Sequence, residues 1–236
     1  MILRLTHAFA LTLSAALVLG CSHLPGAPAP GSEVARPGAD HDFATLYRQN
    51  CSGCHGAQGR NGPSIDLSNP VYQALVDDAT LRNVVAHGYP RTLMPAFARS
   101  AGGMLTDAQV DILVKGMRSE WSKPGTLDGQ NAPSYIASKP GDVQHGQQAY
   151  ETFCASCHAA GAKTKAGSIT DGSYLALLSD QALRTIVIAG RPDLGAPDWR
   201  NNVAGHPMTD QEVTDVIAWL SSQRSTTPGQ PYPQHP

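Results

Sequence analysis

Apolar residues in two stretches of the chain recur every three or four positions, which is the spacing of one face of an α-helix. These stretches run from Val110 to Trp121 and from Val213 to Leu220. Their candidate capping residues are Thr106 or Asp107 for the first stretch and Thr209 or Asp210 for the second. Shorter runs predict helices over residues 71–76, 79–87, 175–178 and 181–189. No stretch alternates apolar and polar residues as a half-buried strand does, so the pattern predicts an all-α protein.

The amino-terminal part of the chain carries a continuous apolar run from Ala8 to Leu19, which follows Arg4. The run is too short to cross a bilayer, and its charged start is typical of a secretory signal. We therefore predict that residues 1–20 are a signal peptide and that the protein is exported. The sequence ending in Cys21 also resembles a bacterial lipoprotein cleavage site. Acylation of that cysteine would anchor the protein on the periplasmic side of a bacterial membrane; the alternative is an ordinary signal peptide followed by an incidental cysteine.

Three segments are rich in Pro and Gly or polar residues and lack apolar periodicity. We predict a flexible tether over residues 21–39, a linker over 122–141 and a disordered tail over 225–236. These segments leave two regions, residues 40–121 and 142–224, and we predict that each is a separate domain.

Composition narrows the function of these domains. The chain has 17 Lys and Arg against 19 Asp and Glu, a formal net charge of −2, which provides no basic surface for nucleic acid. The cysteines are more informative. Four of the five, all except Cys21, fall into two pairs with the same spacing.

Each cysteine pair is followed directly by a histidine. The two motifs are Cys51-Ser52-Gly53-Cys54-His55 and Cys154-Ala155-Ser156-Cys157-His158. In a CxxCH motif, two thiols add to the two vinyl groups of one haem, and the adjacent histidine reaches the iron. A redox dithiol or a four-cysteine zinc site are the alternatives. Two copies in an exported chain favour haem attachment, so we predict two haem c groups, with His55 and His158 as iron ligands.

The two motifs lie within an internal repeat. Tyr47 precedes Cys51 as Tyr150 precedes Cys154, and the segment Gly88–Phe97 aligns without gaps with Gly190–Trp199. Each copy then closes with one of the two long predicted helices. A unit of this size buries too little apolar surface to fold alone, so we expect the haem to supply much of its interior.

This constellation resembles the class I cytochromes c in tandem dihaem form, and the likeness covers Asp40 to Arg224. Met94, which stands before a proline in the first ligand loop, corresponds to the distal methionine ligand of that family. The resemblance also implies that the Pro63 carbonyl accepts a hydrogen bond from His55 and that Gly167 lies near the matching place in the second unit.

In this family, the first and last helices of a domain cross at a small residue. Aligned on that pattern, the first unit places Phe43 opposite Gly116, and the second unit places Gly146 opposite Trp219. We therefore expect a large residue to face a small one at each crossing, in opposite order in the two units.

The second unit departs from the family in its ligand loop, because Ala196 stands where Met94 stands in the first. Three outcomes are open: Met208 replaces the missing ligand, His206 replaces it, or the iron keeps a vacant or water-filled sixth position. The ordinary role of Met208 is packing at the start of the last helix. Arg191 in the same loop could contact a haem propionate, although loop arginines are usually solvated.

The resemblance implies an electron carrier that is not an enzyme and has no catalytic residues. Its partners would be redox proteins such as a quinol-oxidising complex, a terminal oxidase or a dehydrogenase. The alternative is a haem enzyme or gas sensor that uses an open position at the second haem. Only Asp198, Arg200 and His206 are near that position in sequence as candidate acid–base groups, and none is diagnostic.

Overall fold

The computed structural model describes residues 37–90, 92–159 and 166–230. Residues 1–39 and residues 40–236 form separate units. In the first unit only a 3₁₀ turn, Pro37–Ala39, is described. The predicted signal peptide and Cys21 therefore lie outside the described residues.

The described residues of the first domain form five α-helices, connected by turns that include a 3₁₀ turn at Arg99–Ala101. They are α1 (Phe43–Asn50), α2 (Ser52–His55), α3 (Pro70–Leu75), α4 (Asp78–His87) and α5 (Asp107–Trp121). Side-chain caps set where they begin: Asn69 caps α3, Asp77 caps α4, and Thr106 caps α5 in a reciprocal capping box with Gln109. Thr106, rather than Asp107, is thus the cap.

The second domain repeats this order. Its helices are α6 (Val143–Phe153), α7 (Ala155–His158), α8 (Gly172–Ala176), α9 (Asp180–Ala189) and α10 (Asp210–Ser222). Thr209 caps α10 in a capping box with Glu212. The helix predicted over residues 175–178 begins and ends earlier than expected. The Asp171 carboxylate accepts a hydrogen bond from the Tyr174 N–H and so starts α8 at Gly172.

The predicted all-α class is confirmed. Within the described part of the chain, β-structure is limited to two isolated bridges, Ala98 with Leu105 and Arg191 with Ala196. No helix among the described residues is both long and apolar enough to cross a membrane.

The predicted apolar faces of the two long helices form the centre of each domain. The buried residues are Val110, Leu113, Val114 and Met117 on α5, and Val213, Val216, Ile217 and Leu220 on α10. Each fully buried side chain of this size stabilises the fold by about 1.5–3 kcal/mol. The long helices therefore anchor the loops that surround the CxxCH turns.

The helix crossings follow the predicted exchange of large and small residues. A Cβ atom at Gly116 would lie 2.1 Å from Cδ2 of Phe43. At Gly146 it would lie 2.0 Å from the Asp215 carbonyl oxygen and 2.8 Å from Cβ of Trp219. Both predicted pairs are in contact. Gly116 makes room for the Phe43 ring, whereas Gly146 lets α6 approach the backbone of α10 at Asp215.

The segment predicted as a linker is fastened to the second domain. Arg184, only 3% exposed, donates two hydrogen bonds to the Ser134 carbonyl, at 3.0 and 2.8 Å, and forms an ion pair with Asp210. Gln181 donates to the Tyr135 carbonyl at 2.7 Å. The absence of periodicity in this segment therefore reflects irregular but bonded structure.

Hydrogen bonds also continue past residue 224, where the predicted tail begins. The Ser225 N–H donates to the Gly172 carbonyl at 3.0 Å, and the Gly229 N–H donates to Ser173 Oγ at 2.9 Å. The described part of the predicted tail thus packs on the start of α8.

Candidate haem-attachment sites

Each CxxCH motif forms a single helical turn at the end of a longer helix. Cys51 ends α1 and precedes α2, and its carbonyl accepts a hydrogen bond from the His55 N–H at 3.0 Å. Cys154 does the same for the His158 N–H at 2.9 Å. One turn of backbone thus brings two thiols and one imidazole together in each domain.

The placement of the thiols argues against a shared four-cysteine zinc site. Cys51 and Cys154 are largely buried in separate domains, and burial raises the pKa of each to about 12. Among the described residues, which include all four motif cysteines, no group of three or more His, Cys, Asp or Glu side chains is arranged to hold a metal ion. The two motifs therefore act as separate sites.

The imidazole of His55 is oriented by a backbone carbonyl. His55 is 7% exposed, and its Nδ1 lies 2.9 Å from the Ile65 carbonyl oxygen. Burial lowers the pKa of His55, the bond to Ile65 opposes that effect, and the charge of Arg191 lowers the pKa further. A neutral ring that donates from Nδ1 keeps Nε2 for an iron atom.

This bond corrects one prediction, because Ile65 and not Pro63 supplies the carbonyl. The Ser64 N–H donates to the Cys54 carbonyl at 3.0 Å and turns the loop so that the next residue faces the ring. In the second domain, Nδ1 of His158 lies 2.9 Å from the Gly167 carbonyl. Gly167 thus lies at the matching place, and its carbonyl supplies the proximal support.

The first ligand loop presents Met94 from a tight turn. The Tyr89 N–H donates to the Met94 carbonyl at 3.1 Å, and the Met94 N–H donates to Thr92 Oγ1 at 3.2 Å. Gly88 has a φ of 70°, and a Cβ there would lie 2.6 Å from the Met94 carbonyl oxygen, so glycine is required. The Met94 side chain is half-buried, and its role as an iron ligand stays a prediction.

The second ligand loop shares one backbone hydrogen bond with the first and carries a different side chain. The Arg191 N–H donates to the Ala196 carbonyl at 3.0 Å, as Tyr89 does to Met94, and the Ala196 N–H donates back at 2.9 Å. Gly190, at φ 71°, repeats the role of Gly88. Ala196 therefore occupies the backbone position of Met94, and a methyl group stands where the first domain has a thioether.

The two candidate replacement ligands are held in other contacts. Met208 is 1% exposed, and its N–H donates to the Trp199 carbonyl at 2.9 Å, as the Leu105 N–H does to the Phe97 carbonyl at 2.7 Å. The His206 ring packs edge-on against Phe153, with 5.2 Å between ring centroids. Met208 thus has the packing position at the start of α10, and whether it ligates iron stays a prediction.

The other two candidate acid–base groups are paired with each other. Arg200 Nη2 lies 2.6 Å from Asp198 Oδ2, and the guanidinium stacks on the Trp199 ring at 4.7 Å. Asp198 accepts from Arg200 Nε at 3.1 Å and from Nη2 at 2.6 Å, so the two side chains bind each other as a bidentate pair.

Sequence reasoning missed the role of Arg191 and did not single out Asp193. Arg191 is 8% exposed, against the expectation of a solvated loop arginine, and it donates to the Gly62 carbonyl, 129 positions away, at 2.8 Å. Asp193 accepts from the N–H of Asn61 at 2.8 Å. The sequence shows two opposite charges two residues apart in a loop, and nothing in it indicates a partner in the other domain.

Comparisons with known proteins support the reading of the two domains. Residues 38–115 match the family described as cytochrome C oxidase, cbb3-type, subunit III, and residues 143–224 match the family described as cytochrome c. Dihydro-heme d1 dehydrogenase of Pseudomonas aeruginosa is 37% identical over 101 residues, which are 40% of this chain and 20% of that protein. The chain spans about one fifth of the length of this curated relative.

Two solved structures are also similar in part. A reducing HAO-like protein complex of Kuenenia stuttgartiensis is 14% identical, with a TM-score of 0.44 over 82% of this chain and 100% of that chain. A structure of dihydro-heme d1 dehydrogenase in complex with DHE is 29% identical, with a TM-score of 0.30 over 43% of this chain and 21% of that chain.

The donor set in each CxxCH turn fits covalently bound haem c, because two thiols and a carbonyl-oriented imidazole lie in one turn of helix. Both family matches contain one such turn. Two cytochrome c-type domains therefore make up residues 38–115 and 143–224, and they support the assignment of this chain as a dihaem c-type cytochrome.

Proposed function

We propose that this protein carries electrons between redox proteins and that it does so with one haem c in each domain. The observation that supports the proposal most directly is the repeated geometry of the proximal side. In both domains, the histidine of the CxxCH turn has its Nδ1 2.9 Å from a loop carbonyl, which belongs to Ile65 in the first domain and to Gly167 in the second.

This geometry suits reversible one-electron transfer. Haem c, when bound, supplies an iron that takes up and releases one electron. The carbonyl partner fixes the ring of His55 or His158 and raises the basicity of Nε2. Met94 would supply a thioether opposite His55, and that ligand pair raises the reduction potential. Neither role requires a side chain that transfers protons.

The cellular setting belongs to the same proposal. Export, a lipid anchor at Cys21 and a position on the periplasmic side of a bacterial membrane would bring the protein to membrane redox partners. A quinol-oxidising complex, a terminal oxidase or a dehydrogenase would suit a carrier of this kind. The match of residues 38–115 to a cbb3-type oxidase subunit supports an oxidase as one partner.

A haem enzyme or gas sensor is a second candidate function, and one observation favours it. The Ala196 carbonyl accepts the same loop hydrogen bond as the Met94 carbonyl, but alanine has no side chain that can bind iron. Sequence similarity to dihydro-heme d1 dehydrogenase supports enzymatic activity in the same way. An open sixth position at the second haem would bind carbon monoxide, nitric oxide or peroxide.

Absorption spectra of the haem-loaded protein decide between these functions. A haem assay should give two haems per chain, and reduced protein should be examined before and after addition of carbon monoxide. In the carrier with two closed haems, carbon monoxide leaves both spectra unchanged. In the enzyme or sensor, carbon monoxide shifts one haem, and Ala196→Met abolishes that shift. Met94→Ala is the matched control, because it should open the first haem in either case.

The anchor is tested separately. Cells grown with radioactive palmitate should label the wild-type protein and not a Cys21→Ser variant. Equal labelling of the two would refute acylation at Cys21 and leave the proposal of electron transfer untouched.

A further inference from the structure

The ligand loop of the second domain reaches across to the CxxCH turn of the first. Two backbone hydrogen bonds, at 3.0 and 2.9 Å, join Arg191 to Ala196, so its backbone belongs to the second ligand loop. Its side chain extends to the first domain, where Nη2 donates a hydrogen bond to the Gly62 carbonyl at 2.8 Å.

Asp193 completes this contact. Its carboxylate accepts from Arg191 Nε at 2.9 Å and Nη2 at 2.8 Å, and its Oδ2 also accepts from the Asn61 N–H at 2.8 Å. The Arg191 and Asp193 side chains are 10% and 1% exposed. A paired and buried fork of this kind has few alternative geometries. It therefore holds residues 61 and 62 at a fixed place.

Those two residues lie directly against the first CxxCH turn. A Cβ at Gly62 would lie 2.3 Å from the Cys54 carbonyl oxygen and 2.6 Å from the carbonyl carbon of His55. Asn61 has a φ of 63°, the left-handed conformation that turns the chain at this point. Three residues further on, the Ile65 carbonyl meets Nδ1 of His55. A shift of residues 61 and 62 would therefore move the group that orients the histidine.

We propose that Arg191 and Asp193 are positioning residues for the first haem, although they belong to the second domain. They hold the loop at residues 61–65 under His55 and so set the strength of the bond from Nδ1 to the Ile65 carbonyl. The inference rests on the proposed function in one respect, since it assigns these residues an effect on a redox-active haem. It also links the loop that carries Ala196 to the reduction potential of the other domain.

The direction of the effect follows from the chemistry of the histidine. A looser loop weakens the bond to Nδ1, the ring becomes a weaker electron donor, and ferric iron loses stabilisation relative to ferrous iron. Loss of the Asp193 charge also favours ferrous iron. Asp193→Asn should therefore raise the reduction potential of the first haem. Asp198→Asn is the matched control, because its partner Arg200 lies two positions away in its own loop and it removes the same charge.

Spectroelectrochemical titration of the full-length, haem-loaded protein gives the first readout, and Met94→Ala identifies the transition of the first haem. We expect Asp193→Asn to shift the ferric–ferrous equilibrium of that haem by up to about tenfold, or about 59 mV for one electron. Asp198→Asn should shift it several-fold less. Equal shifts in the two variants would overturn the proposal, since both would then report only the lost charge.

Hydrogen exchange of residues 59–66, followed by mass spectrometry, gives a second readout that does not depend on electron transfer. Exchange should quicken in Asp193→Asn and stay at the wild-type rate in Asp198→Asn. Unchanged exchange in Asp193→Asn would also overturn the proposal. Arg191→Lys keeps the positive charge but loses the bidentate pair with Asp193. It should raise the reduction potential and the exchange rate by less than Asp193→Asn does, and it replaces Asp193→Asn as the test if that variant does not fold. A preparation with fewer than two haems per chain would count against the proposed function, whereas the exchange result would still decide this inference.

Discussion

Gly116→Ala should destabilise the haem-loaded protein, although alanine is the better helix former. The new Cβ would lie 2.1 Å from Cδ2 and 2.2 Å from Cγ of Phe43, whereas carbon atoms in contact are about 3.5–4.0 Å apart. The ring is hemmed in by Tyr47 and Trp121, each at 5.8 Å between ring centroids. Overpacking costs about 1–3 kcal/mol, and this overlap, which exceeds an ångström, belongs in the upper half of that range. Helix propensity returns about 1 kcal/mol, so we expect a net loss of about 1–2 kcal/mol.

The same substitution should change sign when the ring is absent. In a Phe43→Ala background, Gly116→Ala meets no ring and should stabilise the protein by up to about 1 kcal/mol. The coupling energy between the two sites would then be about 2–3 kcal/mol, within the range of residues in direct contact. Guanidinium unfolding, followed by circular dichroism and by haem absorption, measures all four proteins of the cycle.

A glycine in open space provides the control. Gly53 lies in α2 with nothing within 4 Å of an added Cβ, and the second motif has Ser156 at the same position. Gly53→Ala should therefore be neutral or slightly stabilising. A Gly116→Ala variant that is as stable as wild type, or that has the same effect with and without the Phe43 ring, would refute the packing argument.

Three further perturbations test other parts of the fold. Arg184→Met leaves the Ser134 carbonyl without its donor and removes the partner of Asp210, and calorimetry should show a loss of about 1–3 kcal/mol; a loss under 1 kcal/mol would mean that the linker contact is dispensable. Thr106→Ala removes a capping box and should cost about 1 kcal/mol in the same assay, whereas an unchanged midpoint would show that the cap is redundant. The hydrogen bond from Arg191 holds the pKa of Asp193 below its ordinary value of 3.8, so its stabilisation is complete above that value and is lost as the pH falls through the folded pKa. Acid titration should therefore show a steeper loss of stability in wild type than in Asp193→Asn, and parallel curves would contradict this assignment.

Features set by local chemistry could be predicted from the sequence. The CxxCH turns follow from a fixed spacing, and the caps at Thr106 and Thr209 follow from the residue types that accept hydrogen bonds at a helix start. The crossing of Phe43 with Gly116 was predictable because the family resemblance implies a crossing of the first and last helices, and the internal repeat supplied a second copy in which the large and small residues exchange places. The placement of Ala196 on the backbone of Met94 had the same origin, since the two loops align without gaps.

Features that depend on loop paths were not predictable in this way. The carbonyl that orients His55 lies two residues beyond Pro63 because a backbone bond from Ser64 to Cys54 fixes the turn, and that bond leaves no trace in residue type. Arg191 stands between Gly190 and Pro192 in sequence, and its partner, the Gly62 carbonyl, lies in the other domain. A charged pair in a loop looks the same in sequence whether it is solvated or docked.

Asn69 of the first domain makes the two domains depend on each other. Asn69 caps α3 through its oxygen, and its Nδ2 donates to the Ala189 carbonyl at 2.7 Å, at the end of α9 in the second domain. The amide is 3% exposed, so a lost partner would not be replaced freely by water. The internal repeat indicates that the two domains arose by duplication. Each domain now depends on the other for a hydrogen bond, so neither can be replaced without loss. A chimaera that grafts the second domain onto an unrelated first domain leaves the Ala189 carbonyl without its donor, at a cost of about 1–3 kcal/mol.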